Sequence, residues 1–229
     1  MKRGINNMDN YALKITMLNA KRKKFNLKNI NMMLEPGFIY AIAGENGAGK
    51  TTLFKYILSE GIKYSGDIVV FGENIRKNHK NAMNIIGFVS EDNIFFEKRT
   101  CKQNAMILGI LYDKFDMELF NQIMDKMSLS PNKTYDKMSR GEKIKFQLAF
   151  AIAHQSRLLL LDEATAGMDP VFRIEFFDML RRFLVDEKCC VLMTSHNMTE
   201  IMKQTDYVAI MNHGELSEFK ESMEVCANV

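Results

Sequence analysis

The stretch FIYAIAGENGAGKTT, Phe38 to Thr52, holds the residues whose types and spacing do the most specific chemistry in this 229-residue sequence. Gly44, Gly49, Lys50 and Thr51 occupy the fixed positions of G-x-x-x-x-G-K-[ST]; Glu45, Asn46, Gly47 and Ala48 lie between the glycines and Thr52 follows. The small residues in such a turn let successive backbone N–H groups face inward and form a concave anion site. A helix starting at the lysine adds its unpaired N-terminal donors and the positive end of its dipole. Lys50 then reaches the β- and γ-phosphates, and the Thr51 hydroxyl holds Mg²⁺. The chemistry is nucleoside triphosphate binding.

Three other clusters bear on the same chemistry. LLLLDE, Leu158 to Glu163, is an apolar run ending in two carboxylates. Such a strand carries charge only where it leaves the core, at the C-terminal edge where ligands bind in parallel sheets. Alternation sends Asp162 and Glu163 in different directions. Asp162 suits the metal, directly or through water, and Glu163 suits the base that polarises the attacking water. The strand Val191 to Thr194 ends in Ser195-His196, which puts His196 in reach of the γ-phosphate and that water; a plain helix-capping histidine is the alternative. In KMSRGE, Ser139 and Glu142 form a capping box ahead of a long helix. The same helix start equally suits a second phosphate site, with the Ser139 hydroxyl and Gly141 N–H as donors. Both readings stand on the residues alone, and a second anion site is spare unless it serves a neighbouring molecule.

These side chains need a particular scaffold. Alternating segments from Tyr11 to Met33 around the basic run Lys21 to Lys24 predict an antiparallel hairpin or small sheet. Glu35-Pro36-Gly37 turns the chain into a strand from Phe38 to Ala43, followed by a helix to about Ser59. Strands are predicted at Gly66 to Phe71 and Ile85 to Val89. From residue 100 to 135 apolar residues (Leu108, Leu111, Leu119, Ile123, Met127) recur at helical intervals, which predicts a helical insertion. Then come a helix from Ser139 to about His154, a strand Arg157 to Leu161, a helix Pro170 to about Val185, a strand Cys190 to Thr194, a short helix after Asn197 and a strand Tyr207 to Met211. Alternating strands and helices imply an α/β fold with a mostly parallel sheet covered on both faces. The chain reads as one domain, with a core of residues 1–99 and 136–229 and a helical subdomain of residues 100–135.

Composition narrows the function. A net charge of +3 is too small to argue for nucleic acid, and the basic run reads as a solvated turn. No apolar run approaches the ~18 residues that cross a bilayer, and the N-terminus lacks a signal-peptide core, so a cytoplasmic location is expected. Cys101, Cys189, Cys190 and Cys226 have no metal-type spacing and suit a reducing compartment.

Together these motifs resemble the nucleotide-binding subunit of ABC transporters over nearly the whole chain. GENGAGKT is similar to that family's Walker A, LLLLDE to Walker B, MSRGE to the LSGGQ signature, ATAGMD with Asp169 to the D-loop, and His196 to the switch histidine. The resemblance implies a P-loop NTPase fold with an N-terminal antiparallel β subdomain and a helical insertion. It implies a head-to-tail dimer holding two ATP, each between one subunit's Walker A and the other's Ser139, Arg140, Gly141 and Glu142. It also implies Glu163 as base, His196 on the γ-phosphate, Mg²⁺ on Thr51 and Asp162, and integral membrane subunits driven from the cytoplasmic face. Three positions depart from the pattern. Glu91 aligns where the family has a metal-contacting glutamine, a change shared with exporter-type members. Arg140 replaces the first signature glycine. The adenine-stacking aromatic is missing near Ala20 and Lys21, leaving Phe25 or Tyr11. The docking surface for the membrane subunits is expected on the helical insertion and the loop Glu91 to Phe96. A soluble assembly ATPase, as in iron–sulfur cluster assembly, is the second reading; a small nucleotide or metabolite kinase is the third, and it has no use for MSRGE.

Overall fold

In the N-terminal hairpin, apolar residues fall on one side of both strands and polar ones on the other. In the computed structural model, which describes residues 11–22, 25–59, 61–90, 95–185 and 188–226, β1 (Leu13–Arg22) and β2 (Phe25–Leu34) pair antiparallel from Leu13↔Leu34 to Arg22↔Phe25. β3 (Ile39–Ala43) is buried at every position and runs through the glycine turn into α1 (Lys50–Leu58). β4 (Ser65–Val70) and β5 (Glu73–Asn74) return to the hairpin and complete a four-stranded antiparallel sheet, β2-β1-β4-β5.

A short helix α2 (His79–Asn84), with little apolar periodicity to announce it, precedes β6 (Ile86–Ser90). The helical stretch is two helices, α3 (Cys101–Gly109) and α4 (Met117–Lys126). α5 (Arg140–Ala153), β7 (Leu158–Asp162), α6 (Pro170–Phe183) and β8 (Cys190–Ser195) follow. The described chain closes with α7 (Met198–Met202), β9 (Tyr207–Asn212), β10 (Glu215–Leu216), β11 (Lys220–Glu221) and α8 (Ser222–Cys226).

The second sheet is ordered β10-β9-β3-β8-β7-β6, with β11 also on β9; β9, β3, β8, β7 and β6 run parallel. Its central strands are continuously apolar because both faces are covered. Tyr40, Ile42, Leu158, Leu160 and Leu192 pack with the first sheet and α1. Ile39, Ala41, Leu159, Leu161, Val191 and Met193 pack with the aromatic and helical side of the molecule. Parallel register brings Ala43, Ser195, Asp162 and Ser90 to one edge. Charged chemistry collects there because every strand leaves the core on that line.

Of the loop Glu91 to Phe96, only Phe95 and Phe96 fall within the described residues. Glu91, Asn93 and Ile94 lie outside the described residues. Phe95 is buried, its ring centroid 5.5, 4.7 and 5.4 Å from those of Tyr135, Phe146 and Phe150. Only Phe96 remains about half exposed. Burial of an aromatic face outweighs its display to water whenever the core offers a slot. Among the described residues, no helix is long and apolar enough to cross a membrane.

Candidate nucleotide site

The glycine turn holds its shape for steric reasons. Gly49 has φ +119°, and a Cβ there would lie 2.6 Å from the Phe25 ring. A Cβ at Gly44 would lie 2.3 Å from the Met211 carbonyl oxygen. The Gly44 N–H donates to the Ser195 carbonyl at 3.2 Å, tying the start of the turn to the end of β8. Lys50, only 5% exposed, curls across the turn. Its Nζ donates to the carbonyls of Gly44 (2.6 Å) and Glu45 (3.2 Å), and lies 3.1 Å from Glu163 Oε1. The ammonium thus stands in the concavity of the turn. A cavity of about 150 Å³ here is lined by Asn46, Gly47, Gly49, Lys50, Thr51, Thr52 and Glu163.

The acidic pair diverges, though not by strand alternation alone. Asp162 is the last residue of β7 and its Oδ1 accepts from the Thr194 hydroxyl at 2.7 Å. Glu163 turns out of the strand into the left-handed region, φ +52°. That conformation costs a non-glycine residue of order 1 kcal/mol and persists only when its surroundings over-determine it. The Glu163 N–H donates to Thr194 Oγ1 (3.1 Å) and its carbonyl accepts from Ala166 N–H (3.1 Å). His196 Nδ1 lies 2.7 Å from Glu163 Oε2. Lys50, Glu163 and His196 therefore form a row from the glycine turn to the end of β8. Oε1 is buried and accepts no hydrogen bond among the described residues, because Lys50 approaches it out of line.

The donor set fits Mg²⁺ shared with a phosphate chain. Among the described residues no group of three or more His, Cys, Asp or Glu forms a metal cage. Mg²⁺ is ordinarily held by one or two protein oxygens together with substrate phosphates and water; Thr51 lines the cavity, and Asp162 ends β7 on the same edge of the sheet. Glu91, the third predicted metal contact, lies outside the described residues.

The residues at the start of α5 do not line this cavity. Ser139 is the exposed N-cap, its Oγ accepting from Glu142 N–H (3.3 Å) while Glu142 Oε2 accepts from Ser139 N–H (2.7 Å), the capping box read from sequence. Arg140 reaches the D-loop, where a Cβ at Gly167 would lie 2.6 Å from its Nη1. Asp169, the D-loop acid, caps α6 by accepting from Phe172 N–H at 2.9 Å. The two aromatic candidates for adenine stacking lie in different places. Phe25 packs on the glycine turn, whereas Tyr11 precedes β1, at the end of the hairpin where Leu13 pairs with Leu34.

Two residues at this edge escaped the sequence reading. One is Thr194, whose role depends on its register opposite Asp162. The other is Gln147 of α5, whose amide accepts from Ser90 N–H (3.0 Å) and donates to the Ser90 carbonyl (3.0 Å) and the Tyr135 hydroxyl (3.1 Å). A polar residue inside an apolar helix face is the signal that marks it.

A phosphate-binding turn, an acidic strand end and a histidine on the neighbouring parallel strand define a phosphate-loop ATPase. Residues 27–166 match the family model described as ABC transporter. The sequence is 31% identical over 199 residues to the ABC transporter ATP-binding protein YtrB of Bacillus subtilis, covering 87% of this chain and 68% of that protein. It is 31% identical over 206 residues to the bacitracin transport ATP-binding protein BcrA of Bacillus licheniformis, covering 89% and 67%. The chain thus spans about two thirds of the length of these two relatives. The solved structure of cbiO1 from Clostridium perfringens, part of the ABC transporter complex cbiONQ, superposes with a TM-score of 0.80 at 26% identity over 95% of this chain and 91% of that one. An ATP-binding cassette solved as a dimer bound to ADP and Pi shares the fold (TM-score 0.79, 17% identity, 92% and 98% covered). The chain belongs to the ABC transporter family, as an ATP-binding subunit that hydrolyses ATP.

Proposed function

We propose that this ATPase powers an exporter, working as a head-to-tail dimer on the cytoplasmic face of separately encoded membrane subunits. The observation that carries the catalytic part is the placement of the Glu163 carboxylate between Lys50 and His196 at the mouth of the glycine turn. In this reading backbone N–H groups from Gly44 to Thr52 and Lys50 Nζ bind the triphosphate, and Phe25 stacks on the base. Thr51 and Asp162 would hold Mg²⁺, which would supply neutralisation of the triphosphate's charge. Glu163 takes a proton from the attacking water as its oxygen bonds to the γ-phosphorus. The bond from that phosphorus to the β,γ-bridging oxygen breaks, leaving ADP and phosphate. His196 holds the carboxylate in place and faces the γ-phosphate. Ser139 and Gly141 serve the triphosphate of a second copy, which accounts for their absence from the lining of their own site's cavity.

Partner docking is supported by an apolar patch at the end of α3 and in the turn after it. Met106 and Ile107 on α3, and Ile110 and Leu111 just beyond it, are all exposed, while Cys101, Asn104, Ala105 and Gly109 of the helix are buried. Asn104 ties the Phe96 backbone to this helix, accepting from its N–H at 2.8 Å and donating to its carbonyl at 3.1 Å. Such a patch marks an interaction surface. Export rests on Glu91, the substitution shared with exporter-type members.

The direct test is Glu163→Gln. ATP hydrolysis is expected to fall by about 10²–10⁴-fold, the worth of a general base. ATP binding is expected to persist and a dimer to appear on size exclusion with Mg-ATP. Hydrolysis within a few-fold of the parent protein removes Glu163 from the role of base.

A further inference from the structure

The signature helix carries a negative charge at its N-terminus, where the proposed dimer brings a phosphate chain. Glu142 is the third residue of α5 and stands in its first turn. The family pattern has glutamine there, which closes the same capping box without a charge. A bare carboxylate at that place would repel a phosphate approaching the helix N-terminus and offset the attraction of its dipole.

Lys133 cancels it. Its Nζ donates to both Glu142 oxygens at 2.8 Å, while Glu142 Oε2 also accepts from Ser139 N–H at 2.7 Å. The lysine is fixed from behind. Its carbonyl accepts from Cys101 N–H at 3.0 Å, its N–H donates to the Ser130 carbonyl at 3.2 Å, and the adjacent Thr134 bridges Thr100 at the start of α3. The two side chains are 36% and 30% exposed. An ion pair at that exposure adds little to folding stability. Its larger consequence is the charge and orientation presented at the start of α5. The Lys133 hydrogen bonds hold the Glu142 carboxyl below the ordinary carboxylate range.

We propose that Lys133 is a positioning residue for ATP-dependent pairing: by holding and neutralising Glu142, it keeps the Ser139 end of α5 attractive to the triphosphate bound by a second copy. The inference rests on the reading above that Ser139 and Gly141 act across a dimer.

The test uses the Glu163→Gln protein with Mg-ATP and compares three forms: this parent, the parent with Lys133→Met, and the parent with Lys133→Met and Glu142→Gln together. Sedimentation gives the dimer dissociation constant, and a fluorescent ATP analogue gives monomer affinity. Lys133→Met is expected to weaken dimerisation roughly tenfold, the scale of one uncompensated charge beside a phosphate chain. Adding Glu142→Gln is expected to restore it to within about threefold, since the neutral amide needs no counter-ion. Monomer affinity is expected to be equal in all three. A purely structural ion pair would leave dimerisation unchanged in Lys133→Met, or leave the double variant as weak as the single; either result overturns the proposal alone. A parent that stays monomeric overturns the dimer reading and this proposal with it.

Discussion

One hydroxyl links the two carboxylates at the site. Thr194 Oγ1 donates to Asp162 at 2.7 Å and accepts from the Glu163 N–H at 3.1 Å, so it sets the direction of one side chain and the backbone of the other. The residue is fully buried, and no solvent molecule takes over easily if the hydroxyl is removed. Thr194→Val is expected to lower ATP turnover by about tenfold and raise the Mg²⁺ concentration for half-maximal rate, in line with the ~1–3 kcal/mol cost of an abandoned buried hydrogen-bonding group. Thr194→Ser, which keeps the hydroxyl, is expected to stay near the parent rate. Steady-state hydrolysis across a Mg²⁺ series checks both. The proximity of Lys50, Glu163 and His196 was legible because motif spacing along the chain places them at neighbouring strand ends. Thr194 was not, because its partner lies on another strand and only parallel register brings them together.

At the scale of the element, α5 joins three environments. Its N-terminus carries the capping box, its middle carries Gln147 bonded to Ser90, and its C-cap is His154. His154 is buried and stacked on Tyr112 with ring centroids 4.1 Å apart. Burial pushes its imidazole down to about 4 from an ordinary 6.5. Between those values the unfolded chain binds a proton that the folded one refuses, so stability falls as pH drops below about 6.5 and the loss is complete below about 4. From pH 7 to pH 5 this one group is expected to remove about 2 kcal/mol. His154→Phe keeps a stacking ring and is expected to flatten that acid limb, as read from urea midpoints at the two pH values. The helix itself was plain from its capping box and length. The burial of its terminal histidine was not, because Tyr112 comes from the segment between α3 and α4.

At the scale of the whole molecule, the fold keeps three surfaces apart: the glycine turn, the start of α5 and the apolar patch at the end of α3. If that patch receives membrane subunits, Ile110→Asp, at a position 82% exposed, is expected to leave thermal stability and basal hydrolysis within experimental scatter while abolishing co-purification with them from native membranes. Retained co-purification moves the docking surface elsewhere. The sequence by itself determined the phosphate turn, the acidic strand end and the alternation of strands with helices, because local spacing and burial period are properties of the chain. Tertiary structure alone decided that β4 joins the first sheet, that Phe95 fills the core while Phe96 does not, that Phe25 and not Tyr11 meets the glycine turn, and that Thr194 stands beside Asp162 and Lys133 beside Glu142. These depend on register and on which surfaces pack together, and both are settled by the free energy of the assembled fold rather than by any one segment.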